Sequence, residues 1–225
     1  MNYIEEVQIM DCRTPEKREQ IVKEFNVLPV AHVKLLTGQT KHSDAGQIIN
    51  DKYYIFHAYP KSGGKEEIIQ CGMGAARHFL ELIGHEGLPL YNPLHGKGGS
   101  VGPGVGTGGQ GGRRPREVWN PIAEQLYNAI MWVIVIIDAA PNTKIFDIRE
   151  KVYRFKSKEP FPSQVKGVNT IIGKILRGKT LTEAIEELRL KNKVRDDMCQ
   201  FDKLVEIINN YTDKDGNHIE IEPLF

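Results

Sequence analysis

The sequence predicts an α+β fold: an N-terminal helix and a small antiparallel sheet with a packed helix, a Gly-rich connection, then a mainly helical C-terminal part. Three observations lead there. Apolar, β-branched and aromatic runs in the first 70 residues are joined by short polar turns, which suits antiparallel pairing. Residues Gly96 to Gly112 hold almost no side chain able to join a core. After Asn120, apolar residues recur at helical spacing behind capping residues. The expected divisions are an α+β domain at 1–95, a flexible linker or loop at 96–117, a helical domain at 118–212 and a tail at 213–225.

Thr14-Pro15 offers a hydroxyl cap and a first-turn proline, so a short helix with Ile21, Val22 and Phe25 inward is expected to end near Asn26. Pro29 to Leu36 reads as a strand and Thr37 to Gln47 as a turn. Lys52 to Tyr59, rich in aromatics, is a second strand; Pro60 to Lys65 is a turn and Glu66 to Gln70 a third strand. A helix follows Cys71 with Ala75, Ala76, Phe79, Leu80 and Ile83 on one side, closed by Gly84. Asn120-Pro121 starts a long helix to about Ala139, apolar all round from Ala129. Further helices are marked by Ile145, Ile148 and Val152, and by Val165 to Leu176 with Gly178 as the end. Another is opened by the Thr180/Glu183 capping box, and a last one runs from Asp202 to Asn209.

The chain has 225 residues, 40% hydrophobic and 26% charged, which excludes a disordered protein. Its net charge of +1 supplies no overall attraction to nucleic acid or membrane, so any such binding must come from a local patch. The three cysteines, Cys12, Cys71 and Cys199, form neither a disulfide framework nor a zinc knuckle, and a cytoplasmic setting is expected. The N-terminus has no signal-peptide pattern. The longest apolar run, Ala129 to Ile137, falls short of the roughly 20 residues a membrane span needs, so no membrane partner is expected.

Cys71 opens the pattern Cys71-Gly72-Met73-Gly74-Ala75-Ala76-Arg77, C-x-x-G-x-x-R. It resembles the signature loop of the cysteine-dependent phosphatases. That resemblance implies a phosphate held by backbone amides at a helix start, Cys71 as thiolate nucleophile and Arg77 gripping phosphate oxygens. Asp44 and Asp51 are positional candidates for the general acid. The same residues also fit a buried apolar thiol at a tight turn, with Arg77 on a solvated helix face. Cys71, His57 and His78 lack metal-ligand spacing, and Asp213 to Asn217 begins like a calcium loop without completing one, so neither metal nor cofactor is expected.

Charge is uneven along the second half. Residues 144–179 carry ten basic and three acidic side chains, a net of +7, whereas 180–225 carry six and eleven, a net of −5. Tyr153, Phe155 and Phe161 interleave the basic run, and cations with aromatics suit phosphate contact and base stacking. The candidate nucleic-acid contacts are Arg113, Arg114, Arg116, Arg149, Arg154, Lys156, Lys158, Lys174, Arg177 and Lys179. The join at Ile175 to Lys193 also resembles a helix-turn-helix. The C-terminal Ile219 to Phe225 resembles the peptide tails that dock on sliding clamps, which implies a protein partner. The leading expectation is a nucleic-acid-associated binding protein; the alternatives are a cysteine-phosphatase-like enzyme and a protein-interaction scaffold or inhibitor.

Overall fold

The computed structural model describes residues 10–95, 118–136 and 144–225. These contain seven α-helices and a three-stranded antiparallel sheet, an α+β fold. They fall into two compact units, one within residues 10–88, the other made of 89–95, 118–136 and 144–225. The expected Gly-rich linker and Arg113, Arg114 and Arg116 lie outside the described residues.

In the first unit, helix α1 (Pro15–Glu24) starts as its cap requires, with the Thr14 hydroxyl accepting from Lys17 N. It ends before Phe25, which already belongs to strand β1 (Phe25–Lys34). The expected turn at 37–47 contains half of a small hairpin, β2 (Lys41–His42) and β3 (Ile48–Ile49). Strands β4 (Lys52–Pro60) and β5 (Glu67–Gly72) follow, and helix α2 (Met73–Leu82) leaves β5 with no intervening loop. The sheet order is β1-β4-β5, both pairs antiparallel. Pro29 is tolerated because β1 is an edge strand and the register slips by one residue between Pro29 and Ala31. Central β4 is buried from Tyr53 to Ala58, as expected of a strand covered on both faces. On one face Tyr54, Phe56 and Ala58 meet Ile69 and Cys71 of β5 and Ala76 and Phe79 of α2.

The second unit is a helical assembly around α3 (Pro121–Ile136), in which twelve side chains are buried. Asn120 caps it, its Oδ1 accepting from Ile122 N and Ala123 N. Around α3 lie α4 (Lys144–Arg154), α5 (Pro162–Leu176), α6 (Leu181–Arg189) and α7 (Asp202–Asn209). Both halves of the Thr180/Glu183 capping box form. The reversal from α5 to α6 is made by left-handed backbone at Arg177 (φ 52°) and Gly178 (φ 92°). Buried Gln125 of α3 positions α7: its Nε2 donates to Asp202 Oδ1 at 2.6 Å and its Oε1 accepts from Lys203 N at 3.0 Å. Residues 89–95, expected with the first part, hydrogen-bond here, His95 N to Lys193 O and Arg195 N to Pro93 O.

The tail corrects a sequence expectation. Residues 222–225 are not a free peptide for a partner. Phe225 is buried, its ring 6.4 Å from that of Phe201. The side chain of buried Asn169 brackets the segment, Nδ2 donating to Glu222 O at 2.9 Å and Oδ1 accepting from Leu224 N at 2.7 Å. Leu224 O accepts from Leu181 N, at the start of α6. Leu224 and Phe225 thus satisfy apolar and backbone needs of this chain's own unit.

Candidate nucleic-acid interface

The phosphatase resemblance fails at the backbone. A phosphate cradle needs loop amides converging beside an exposed sulfur. Cys71 instead lies within β5, fully buried, and the amides after it enter α2 directly. Burial pushes the Cys71 thiol well above its ordinary value, with Cys12 and Asp44 adding to the effect and Arg18 opposing it. Arg77 is exposed on α2 and is not brought to the sulfur. The guanidinium near Cys71 belongs to Arg18, and it is engaged elsewhere: it donates to His78 Nδ1 at 2.9 Å, Cys12 O at 2.7 Å and Arg13 O at 3.2 Å. Cys71 is therefore a core thiol and Arg77 a solvated helix residue. Among the described residues no three His, Cys, Asp or Glu side chains group as metal ligands.

The basic run of the second unit divides into three sets. Arg149 is buried at 2% exposure and cannot reach a phosphate. Its guanidinium lies 4.5 Å from the Tyr153 ring and 5.4 Å from the Tyr127 ring, and Nη2 donates to Tyr127 Oη at 3.4 Å. Both rings hold the guanidinium by cation–π contact, and among the described residues no carboxylate pairs with it. Lys156 Nζ lies 5.0 Å from the same Tyr153 ring and 5.9 Å from that of Trp119. Rings of Trp119, Tyr127 and Tyr153 pack together within 6.0 Å, so the half-buried Tyr153 ring already has aromatic partners within the chain.

The second set is exposed at the corner between α4 and α5. A groove of about 500 Å³ opens there. Its floor includes buried Val152 and Pro160, its walls Phe155 and Phe161. The two rings are 53% and 73% exposed, among the most solvent-accessible large apolar side chains described. Lys151 and Lys158 line the same groove, with Lys158 Nζ 5.8 Å from the Phe155 ring, and Glu159 contributes one carboxylate. Arg154 is exposed beside it and pairs with Glu150 one turn back. The corner is built by local rules. Lys158 N donates to Phe155 O as α4 unwinds, Pro160 blocks further helix, and Pro162 begins α5. Gln164 Oε1 accepts from Phe161 N at 2.8 Å and so fixes the residue that carries the outer ring. Asn120 N donating to Lys156 O ties the corner to α3.

The third set, Lys174, Arg177 and Lys179, is exposed at the other end of α5, about 20 Å away along a fifteen-residue helix. These basic residues therefore do not form one patch. The helix-turn-helix resemblance is also corrected. The second helix, α6, presents Glu183, Glu186 and Glu187 outward, and Lys179 is held by Glu187 at 2.6 Å, so a phosphate backbone would be repelled along it. Sequence reasoning had Phe155 and Phe161 as interleaving aromatics but left Lys151 out of the contact residues. The spacing of Lys151 and Phe155, one helical turn apart, places them on one face and could have found it.

No curated protein and no solved structure matches the chain. Residues 10–209 match the family described as "Uncharacterised conserved protein UCP028583", and the chain belongs to that family.

Proposed function

We propose that the protein binds nucleic acid through the corner between α4 and α5. The observation that carries this reading is the joint exposure of Lys151 and Lys158 with Phe155 and Phe161 around one groove, with Arg154 exposed on the same helix. Ammonium and guanidinium groups contact phosphates and release counterions; aromatic rings take up bases. The reading includes a cytoplasmic location, supported by the free thiols of Cys12, Cys71 and Cys199. Among the described residues no helix is long and apolar enough to cross a membrane.

The test is a salt titration. Affinity for an oligonucleotide, measured by fluorescence anisotropy between about 50 and 200 mM salt, is expected to fall linearly in log–log form. K151Q and K158Q should each lower the slope by about one without changing the circular dichroism spectrum. Absence of binding to both DNA and RNA at the lowest salt would overturn the reading, as would a slope unaffected by either substitution.

A further inference from the structure

We infer that the groove between α4 and α5 takes an unpaired nucleobase, so the preferred ligand is single-stranded nucleic acid; the inference rests on the nucleic-acid reading above and specifies the form of its ligand. A duplex presents phosphates outward and keeps the faces of its bases covered in the stack. A surface that reads only a duplex backbone needs cations and no apolar hollow. This corner has a hollow. Its volume of about 500 Å³ lies within the range that encloses small ring systems. Its floor, Val152 and Pro160, is buried and apolar, while Phe155 and Phe161 are exposed residues. Leaving two phenyl rings solvated beside a ready cavity is unfavourable unless something apolar covers them, and the flat face of a base does so. Lys151 and Lys158 outnumber the single carboxylate of Glu159 and supply the charge complementarity, because a base entering the hollow carries its own phosphates to the rim. An acidic peptide without aromatic side chains would meet the same lysines but has no flat ring system for the hollow. Stacking on a phenyl ring is tolerant of base identity, so the site discriminates paired from unpaired more than one base from another.

The experiment compares three ligands of about twelve nucleotides: a single-stranded oligonucleotide, an abasic oligomer with the same phosphates, and the corresponding duplex. Wild-type protein is expected to bind the base-bearing single strand at least about tenfold more tightly than the other two. In an F155A/F161A variant the preference over the abasic oligomer should vanish while the salt slope stays as it was. Both side chains are exposed, so the variant is expected to keep the wild-type unfolding midpoint, and F155L/F161L retains apolar area without a ring face as a second variant. Equal binding of the abasic and base-bearing strands overturns the inference and leaves the phosphate-binding reading standing. So does tighter binding to duplex, or wild-type affinity in both ring variants. Competition by polyglutamate as effective as by the oligonucleotide also overturns it, since the hollow would then read charge alone. Failure of all three ligands to bind at low salt overturns the nucleic-acid reading itself.

Discussion

Burial lifts the Asp44 carboxyl to about 6, although the Gln70 amide donates to it at 2.6 Å and pulls the other way. Its backbone also joins neighbours, accepting from Cys12 N and donating to Gln70 O. The folded value lies above the ordinary 3.8. Between those two pH values the native state therefore holds a proton that the unfolded chain has released. The stability this group contributes is fully present below the unfolded value, is lost as pH rises through the folded one, and changes little beyond. Urea unfolding of wild type and D44N across this range should show wild type losing stability relative to D44N between pH 4 and pH 6. A difference that stays flat would mean that Asp44 does not titrate in this window. The same desolvation acts on Cys12, whose thiol is pushed up to about 12 by burial and then by Asp44. The thiols of this region are structural because they are dry: desolvation outweighs the opposing charge of Arg18, whose Nε and Nη1 donate to His78 and two carbonyls. For Arg18 Nε to donate to His78 Nδ1, that ring nitrogen must carry no proton.

Helix α5 joins α4 and the tail of the second unit. Gly167 admits α4, since a Cβ there would come 3.1 Å from Ile148 Cδ1, and Gly173 admits the tail, since a Cβ would come 2.7 Å from Leu224 Cδ1. Glycine inside a helix costs roughly 1 kcal/mol relative to alanine, so close approach is what these positions gain in exchange. Between them Asn169 makes both tail hydrogen bonds. N169A removes two bonds and leaves their backbone partners unsatisfied, with an expected loss of about 2 kcal/mol. F225A removes a buried ring and should cost about 3 kcal/mol. Chemical denaturation reads both, and the double variant should lose less than the sum, because both anchor one segment. Losses below about 0.5 kcal/mol would mean that the tail is not part of the cooperative unit. Elements announced by local chemistry were legible in the sequence: the Thr14-Pro15 start, the Asn120 cap, the Thr180/Glu183 box and the span of α7. The tail was not, because its place is decided by Asn169, 55 positions away from Leu224, and sequence pattern carries no sign of that pairing. The hairpin of β2 and β3 was hidden for the opposite reason, being two-residue strands too short to show alternation.

Across the whole molecule the charges nearly cancel, yet they are segregated along the chain, +7 over residues 144–179 and −5 over 180–225. A protein without net charge is still held by an ion exchanger when one sign is concentrated on a face. At its isoelectric pH of about 7.7 the protein is expected to be retained on a cation exchanger at low salt, and K151E/K158E to elute earlier. Passage of the wild type in the flow-through would mean that the sequence segregation is not expressed at the surface. That segregation was legible residue by residue, but the candidate site was only half legible. The helical face of Lys151 and Phe155 follows from spacing, whereas the burial of Arg149 and the ring contacts of Tyr153 follow from Tyr127 and Trp119 of another segment. The docked tail also orders events in time. Residues 222–225 leave a ribosome after every group they bind, and at about 5–20 residues per second roughly 3–11 s separate the synthesis of Asn169 from that of Leu224. For that interval the first turn of α6, the cleft beside Gly173 and the Asn169 amide stand open on the nascent chain. The second unit thus completes its packing only after residues 222–225 are made, and a chaperone or protease has those seconds in which to act on it.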